Sequence, residues 1–305
     1  MPEQIQFRLN ARTILSMLKE AAGEWGNDKA SRLAAALSYY TIFSIAPLLI
    51  IAIAVAGLVF GHEAASNQIF DQVRGFVGDG GAQAIQAMVA SADKKGAGIV
   101  ATLVGIATLL VGASGAIGQL QTALNTIWEV EPKPGQGIKG FLRTRVLTFS
   151  MVLVIAFMLL VSLVLSAGLS GAGHYLDSVL AIPAALLQAL NFTVSFLVIS
   201  VLFAMIYKFL PDVEIKWKDV WIGGAVTSLL FSIGKFLIGL YLGRGSVTSA
   251  FGAAGSLVVI LIWIYYSSQI LFFGAEFTNV WAKRHGLAPP RKAAAKPARL
   301  PKQGR

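Results

Sequence analysis

Long, predominantly apolar stretches recur along this 305-residue chain, at 37–60, 98–119, 146–169, 182–207, 219–243 and 251–279, and those before residue 219 carry no charged side chain. Each reaches the roughly 20 residues that an α-helix needs to cross a hydrocarbon core about 30 Å thick. In hydrocarbon every backbone N–H and C=O must be satisfied inside the segment, so runs of this length and polarity are expected to be helices. Only 13% of the residues are charged, against about 25% in an ordinary soluble domain, so water could not solvate a globule built from them. The expected fold is all-α: a polytopic membrane helical bundle with about six transmembrane helices.

Lys and Arg favour the cytoplasmic side of a membrane, which orients the bundle. Twenty of them fall in the N-terminal segment, the loops after the second and fourth spans, and the tail; Arg74, Lys94, Lys95 and Arg244 fall on the other side, and Lys235 lies within the fifth span. Both termini are therefore expected in the cytoplasm. The chain divides into an amphipathic cytoplasmic segment at 1–36, a six-helix transmembrane domain at 37–279, and a basic tail at 280–305 expected to be disordered. Residues before Leu33 lack the apolar core of a cleavable signal, so insertion is expected to rely on the first span. The 62–97 loop, placed outside, repeats apolar residues at helical spacing, with a break expected at Gly78-Asp79-Gly80-Gly81. It is either a packing cap or a docking element for a periplasmic partner. The tail could meet anionic lipid headgroups, although topology alone accounts for its charge, and no specific nucleic acid is expected.

The chain has no cysteine, which excludes thiol chemistry and Cys-based metal sites, and His62, His174 and His285 are scattered. Neither a metal nor another cofactor is expected. A phosphate-cradling Gly-x-x-x-x-Gly-Lys-Ser/Thr loop is absent, and cytoplasmic acids stand singly or beside bases, so no catalytic residues are assigned and no enzyme is expected.

Polar groups inside spans are costly enough to be functional candidates, although helix packing also uses them. The first span opens with Tyr39, Tyr40, Ser44 and Pro47, of which Tyr40, Ser44 and Pro47 share a face. That face is either an interfacial belt with a kink or the wall of a polar cavity. Lys235 and Glu276 are the ionisable candidates, but they belong at different depths, which disfavours a salt bridge between them. Glu276 is expected near Arg32, Tyr39 or Tyr40, and Lys235 near the outer edge, where it either snorkels or faces a cavity or an anionic ligand. Tyr266, Ser267 and Gln269 give the sixth span a polar middle expected to face the bundle interior.

Four stretches in order resemble the YihY/virulence factor BrkB family of bacterial inner-membrane proteins. They are Arg32-Leu-Ala-Ala-Ala-Leu-Ser-Tyr-Tyr-Thr-Ile-Phe-Ser-Ile-Ala-Pro-Leu-Leu, Ala123-Leu-Asn-Thr-Ile-Trp128, Phe209-Leu-Pro-Asp212 with Trp217, and Phe251-Gly-Ala-Ala-Gly-Ser256 with Trp263-Ile-Tyr-Tyr-Ser-Ser268 and Gly274-Ala-Glu-Phe277. The resemblance implies six transmembrane helices and inner-membrane residence; relatives are linked to serum resistance or envelope lipids, and some carry an old ribonuclease label. The leading expectation is a transporter or flippase-like protein for a lipid or other anionic amphiphile, the alternative a non-transporting scaffold or envelope-assembly factor. Ribonuclease activity is not expected. Membrane lipids are the expected partners, and oligomeric state is not readable.

Overall fold

The computed structural model describes residues 11–92, 115–132, 184–242, 255–285 and 295–297. Seven helices appear among them: α1 (Ala11–Asn27), α2 (Ala30–Phe60), α3 (His62–Ala92), α4 (115–127), α5 (Ala184–Phe209), α6 (Trp217–Leu242) and α7 (Gly255–Arg284). Phe192–Phe209, Trp217–Ile238 and Leu257–Arg284 are long and apolar enough to cross a membrane, and α2 carries the uncharged 37–60 run. The expected span at 146–169, and that at 98–119 apart from 115–119, lie outside the described residues.

Helix α7 is the axis on which the others converge, packing against α1, α2, α3 and α6. Near its start, Ile260 and Ile264 join a core with Ile42, Leu49 and Ile53 of α2 and Phe70, Ile85 and Val89 of α3. Farther along, Phe272 and Ala275 meet Ala30 and Ala34 of α2, Leu124 and Ile127 of α4, and Phe203 and Tyr207 of α5. At its end, Phe277, Val280 and Trp281 bury Met17 and Ala21 of α1. The other face of α1 leaves Leu15 69% exposed, as suits a helix lying in the membrane interface.

Helices α6 and α7 are antiparallel and in backbone contact through two Gly-x-x-x-Thr pairs, Gly223/Thr227 and Gly274/Thr278. A Cβ on Gly223 would lie 1.9 Å from Thr278 Oγ1, and one on Gly274 would lie 1.9 Å from Thr227 Oγ1. Each threonine donates to the glycine carbonyl one turn back on its own helix, at 2.6 Å. Without a hydrophobic force between helices in lipid, close packing of small residues is what joins them. Tyr207 of α5 ties the seam, donating to Leu271 O at 2.8 Å, with Thr227 Oγ1 3.0 Å from its hydroxyl.

The buried α5–α6 turn is clasped by α4. Asn125 accepts from Asp212 N at 2.8 Å and donates to the Asp212 carboxylate at 3.0 Å, with Gln121 donating at 3.2 Å. These residues hold the turn to α4.

Two expectations are corrected. Helical hydrogen bonding continues through Gly78-Asp79-Gly80-Gly81, where a break was expected, but the chain folds back between Phe70 and Gln86: Ala65, Ile69 and Phe70 share the α2–α7 core with Ala82, Ile85 and Val89, and His62, Ser66 and Phe70 line one cavity with Gln86, Val89 and Ala90. A straight helix would hold His62 and Ala90 about 42 Å apart. Within 280–305, expected to be disordered, α7 continues to Arg284, and Ala295–Pro297 (β2) pairs antiparallel with Val130–Pro132 (β1).

Candidate functional site

Between α5 and α6 lies a cavity of about 310 Å³ lined by Phe192, Ser195, Phe196, Ile199, Phe231, Ser232 and Lys235. Phe192 and Phe196 stand one turn apart with stacked rings, centroids 6.4 Å apart, so they form one apolar wall. Gly224 lets α6 approach α5 closely at Ser200, since a Cβ there would lie 2.6 Å from the Ser200 carbonyl oxygen. Ser228 crosses the seam to donate to Phe196 O at 3.1 Å, and Ser232 donates to Ser228 O at 2.8 Å. Lys235 stands exposed at the rim, flanked by Phe236 and Leu237, which are 66% and 52% exposed. The site is thus an apolar slot with serine hydroxyls along it and an ammonium at one edge. Its walls are apolar and Lys235 is the charged residue lining it, while the Ser232 hydroxyl proton is committed to Ser228 O.

The helix register separates Lys235 from Glu276, as expected. Gly234 of α6 lies against Tyr266 and Ile270, whereas Gly223 lies against Thr278. Lys235 is therefore level with Tyr266, ten residues or about 15 Å along α7 from Glu276.

Glu276 is fully buried, and neither carboxylate oxygen meets a hydrogen-bond donor of fixed position among the described residues. Its neighbour is Asp28, at the joint between α1 and α2, whose carboxyl is within hydrogen-bonding reach; Glu24 and Lys283 also act on it. The group that meets Glu276 is not Arg32, Tyr39 or Tyr40 but Asp28, four residues before Arg32. Arg32, Tyr39 and Tyr40 are exposed at the surface of α2, with Tyr39 edge-on to Tyr40 and to Phe43, centroids 5.6 and 5.1 Å away. Ser44 is fully buried and donates to Tyr40 O at 2.7 Å, and Pro47 lies within the unbroken α2. Tyr266, Ser267 and Gln269 are half-buried, and Ser268 is the buried member of that stretch, donating to Ile264 O at 2.7 Å.

The structure therefore gathers Lys235 with residues that sequence reading did not single out: Ser195, Phe192, Phe196 and Phe231. The i, i+4 spacing of Phe192 and Phe196 marked a face of α5, but nothing in the sequence says which helix that face meets. Asp28 was missed because it lies outside every span, although Glu24 and Asp28 sit one turn apart.

A sequence profile of the family described as Virulence factor BrkB matches residues 21–300. Among curated relatives, a UPF0761 membrane protein of Verminephrobacter eiseniae is 28% identical over 82% of this chain and 58% of its own length. One of Rhodospirillum centenum is 25% identical over 87% of this chain and 57% of its own. One of Pseudomonas aeruginosa is 29% identical over 84% of this chain and 62% of its own. The chain thus spans about three-fifths of the length of these relatives. No solved structure matches.

Proposed function

We propose, for a chain that belongs to the virulence factor BrkB family and is a membrane protein like its relatives, that it binds anionic amphiphiles and carries their headgroups across the bacterial inner membrane. The observation that supports this reading is the cavity between α5 and α6, where Lys235 and two serines edge a slot walled by three phenylalanine rings. A lysine within a membrane-crossing helix costs about 2.5–3.5 kcal/mol at the centre of the bilayer, so a site that keeps one has a use for the charge. Lys235 lies seven residues, about 10 Å, from the end of α6 at Leu242, a depth at which its ammonium reaches toward lipid headgroups. In this reading the phosphate of a lipid pairs with Lys235 while its chains stay against Phe192, Phe196 and the lipid-facing side of α6.

The test is scrambling of fluorescent phosphatidylglycerol in proteoliposomes. Wild-type protein is expected to scramble above empty vesicles, Lys235→Ala to lose at least about tenfold in rate, equivalent to about 1.4 kcal/mol, and Lys235→Arg to keep most of it. Background rates for all three sink the reading. A scaffold role is the second reading, with α3 as its docking element. Crosslinking from α3 in intact cells separates the two, since a stoichiometric protein partner supports scaffolding and a lipid adduct supports transport.

A further inference from the structure

Glu276 has no part in the Lys235 cavity, yet it is more deeply buried than Asp219 or Asp212. The other two buried acids among the described residues are provided for. Asp212 accepts from Asn125 and Gln121, and Asp219 bonds to the Trp281 indole with His285, Lys216 and Lys218 around it. Glu276 instead faces a second carboxyl, that of Asp28. The groups acting on this pair are Glu24 of α1, Glu129 after α4 and Lys283 of α7, and Lys283 is itself 2.8 Å from Glu129. Two carboxylates have acceptors only, so a hydrogen bond between them requires a proton. Buried side by side without that proton, they would repel in a medium that solvates neither.

The backbone fixes this approach. Lys29 and Glu129 are the non-glycine residues with positive φ, at 54° and 52°, among the described residues; Lys29 follows Asp28 directly. Left-handed conformations at such residues persist only where the surrounding packing over-determines them. Ala30 and Ala34, just after the joint, are fully buried in the same core as Ala275 and Ala282, on either side of Glu276. The two acids are therefore held together by the packing of α2 on α7.

We propose that Asp28 and Glu276 form a proton-binding site, in which one proton shared between the two carboxyls joins the α1–α2 joint to α7. Losing that proton leaves two buried anions, and their repulsion loosens the joint from the axial helix. The site lies about 15 Å along α7 from the level of Lys235 and stands or falls independently of amphiphile transport.

Infrared spectroscopy of the protein in lipid nanodiscs reads the proton directly. Wild-type protein at neutral pH is expected to show a carboxylic-acid C=O band that shifts with ¹³C-glutamate or ¹³C-aspartate labelling and bleaches as pH is raised. Glu276→Gln and Asp28→Asn each supply a permanent amide donor and are expected to lose the band. Should either variant misfold, labelling of the wild type still assigns it. A wild type with no such band at any pH, or a band that survives in both folded variants, overturns the proposal. So does abolition of the band at constant pH by Na⁺ or Ca²⁺, which would assign the pair to a metal cation.

Discussion

Asp28 sits at the joint between α1 and α2, and burial holds its carboxyl above its ordinary value of 3.8; Glu24 and Glu129 push the same way, while the bond to Glu276 and Lys283 oppose. A carboxyl that binds its proton more tightly when folded contributes stability that is fully present below the unfolded value and is lost as pH rises through the folded one. Thermal melting in detergent is therefore expected to show the wild type losing stability from mildly acidic pH upward, and Glu276→Gln to flatten that slope. A wild type that gains stability over the same range would reverse the sign. Gly223 makes a second prediction at this scale: Gly223→Ala puts a methyl against Thr278 Oγ1 and is expected to cost about 1–3 kcal/mol. Thr278→Ala removes the nearest atom but keeps a Cβ 2.9 Å from the new methyl, so the double variant is expected to recover part of the loss, a coupling readable in a double-mutant cycle. The Gly-x-x-x-Thr spacing of both helices was legible in the sequence. Their pairing was not, because several helices offer small residues and only packing selects among them.

Helix α3 shows a local signal and packing acting together. Its run of Gly78, Gly80 and Gly81 reads as a break, and although helical hydrogen bonding continues there, the chain folds back so that His62 and Ala90 line one cavity. A Cβ on Gly80 would meet nothing within 4 Å, and its φ is not positive. Gly80→Ala is therefore expected to stabilise the protein by about 0.5–1 kcal/mol, through lost freedom in the unfolded chain and better helix propensity. A drop in melting temperature would mean that the bend in α3 needs a glycine at this position. Helix α2 behaves as its sequence suggests: it ends at Phe60, and Gly61, with φ of 82° and its N–H on Gly57 O at 2.9 Å, reverses the chain into α3. The end of α1 was less legible, since its amphipathic pattern does not say whether its buried face meets lipid or protein. Met17 and Ala21 meet α7, and Ile14 and Leu15 are left outside.

For the whole molecule, the distribution of Lys and Arg leads to the expectation that both termini are cytoplasmic and α3 lies outside. The absence of native cysteine makes this directly testable. Asp79→Cys is expected to react with a membrane-impermeant maleimide in intact spheroplasts, and Lys218→Cys only after permeabilisation. The reverse pattern would invert the bundle, and with it the leaflet that Lys235 serves. What the sequence determined alone is the solvent: apolar runs of bilayer length are a one-dimensional property, and so is the charge asymmetry that orients them. It also set the separation of Lys235 and Glu276 along the helices, because rise per residue along a helix is constant. Only the tertiary structure decided their neighbours. Lys235 acquires Phe192, Phe196 and Ser195 because α5 packs on α6, and Glu276 acquires Asp28 because the start of α2 packs on α7. Depth follows from counting residues, whereas lateral partners follow from which small residues let two backbones meet.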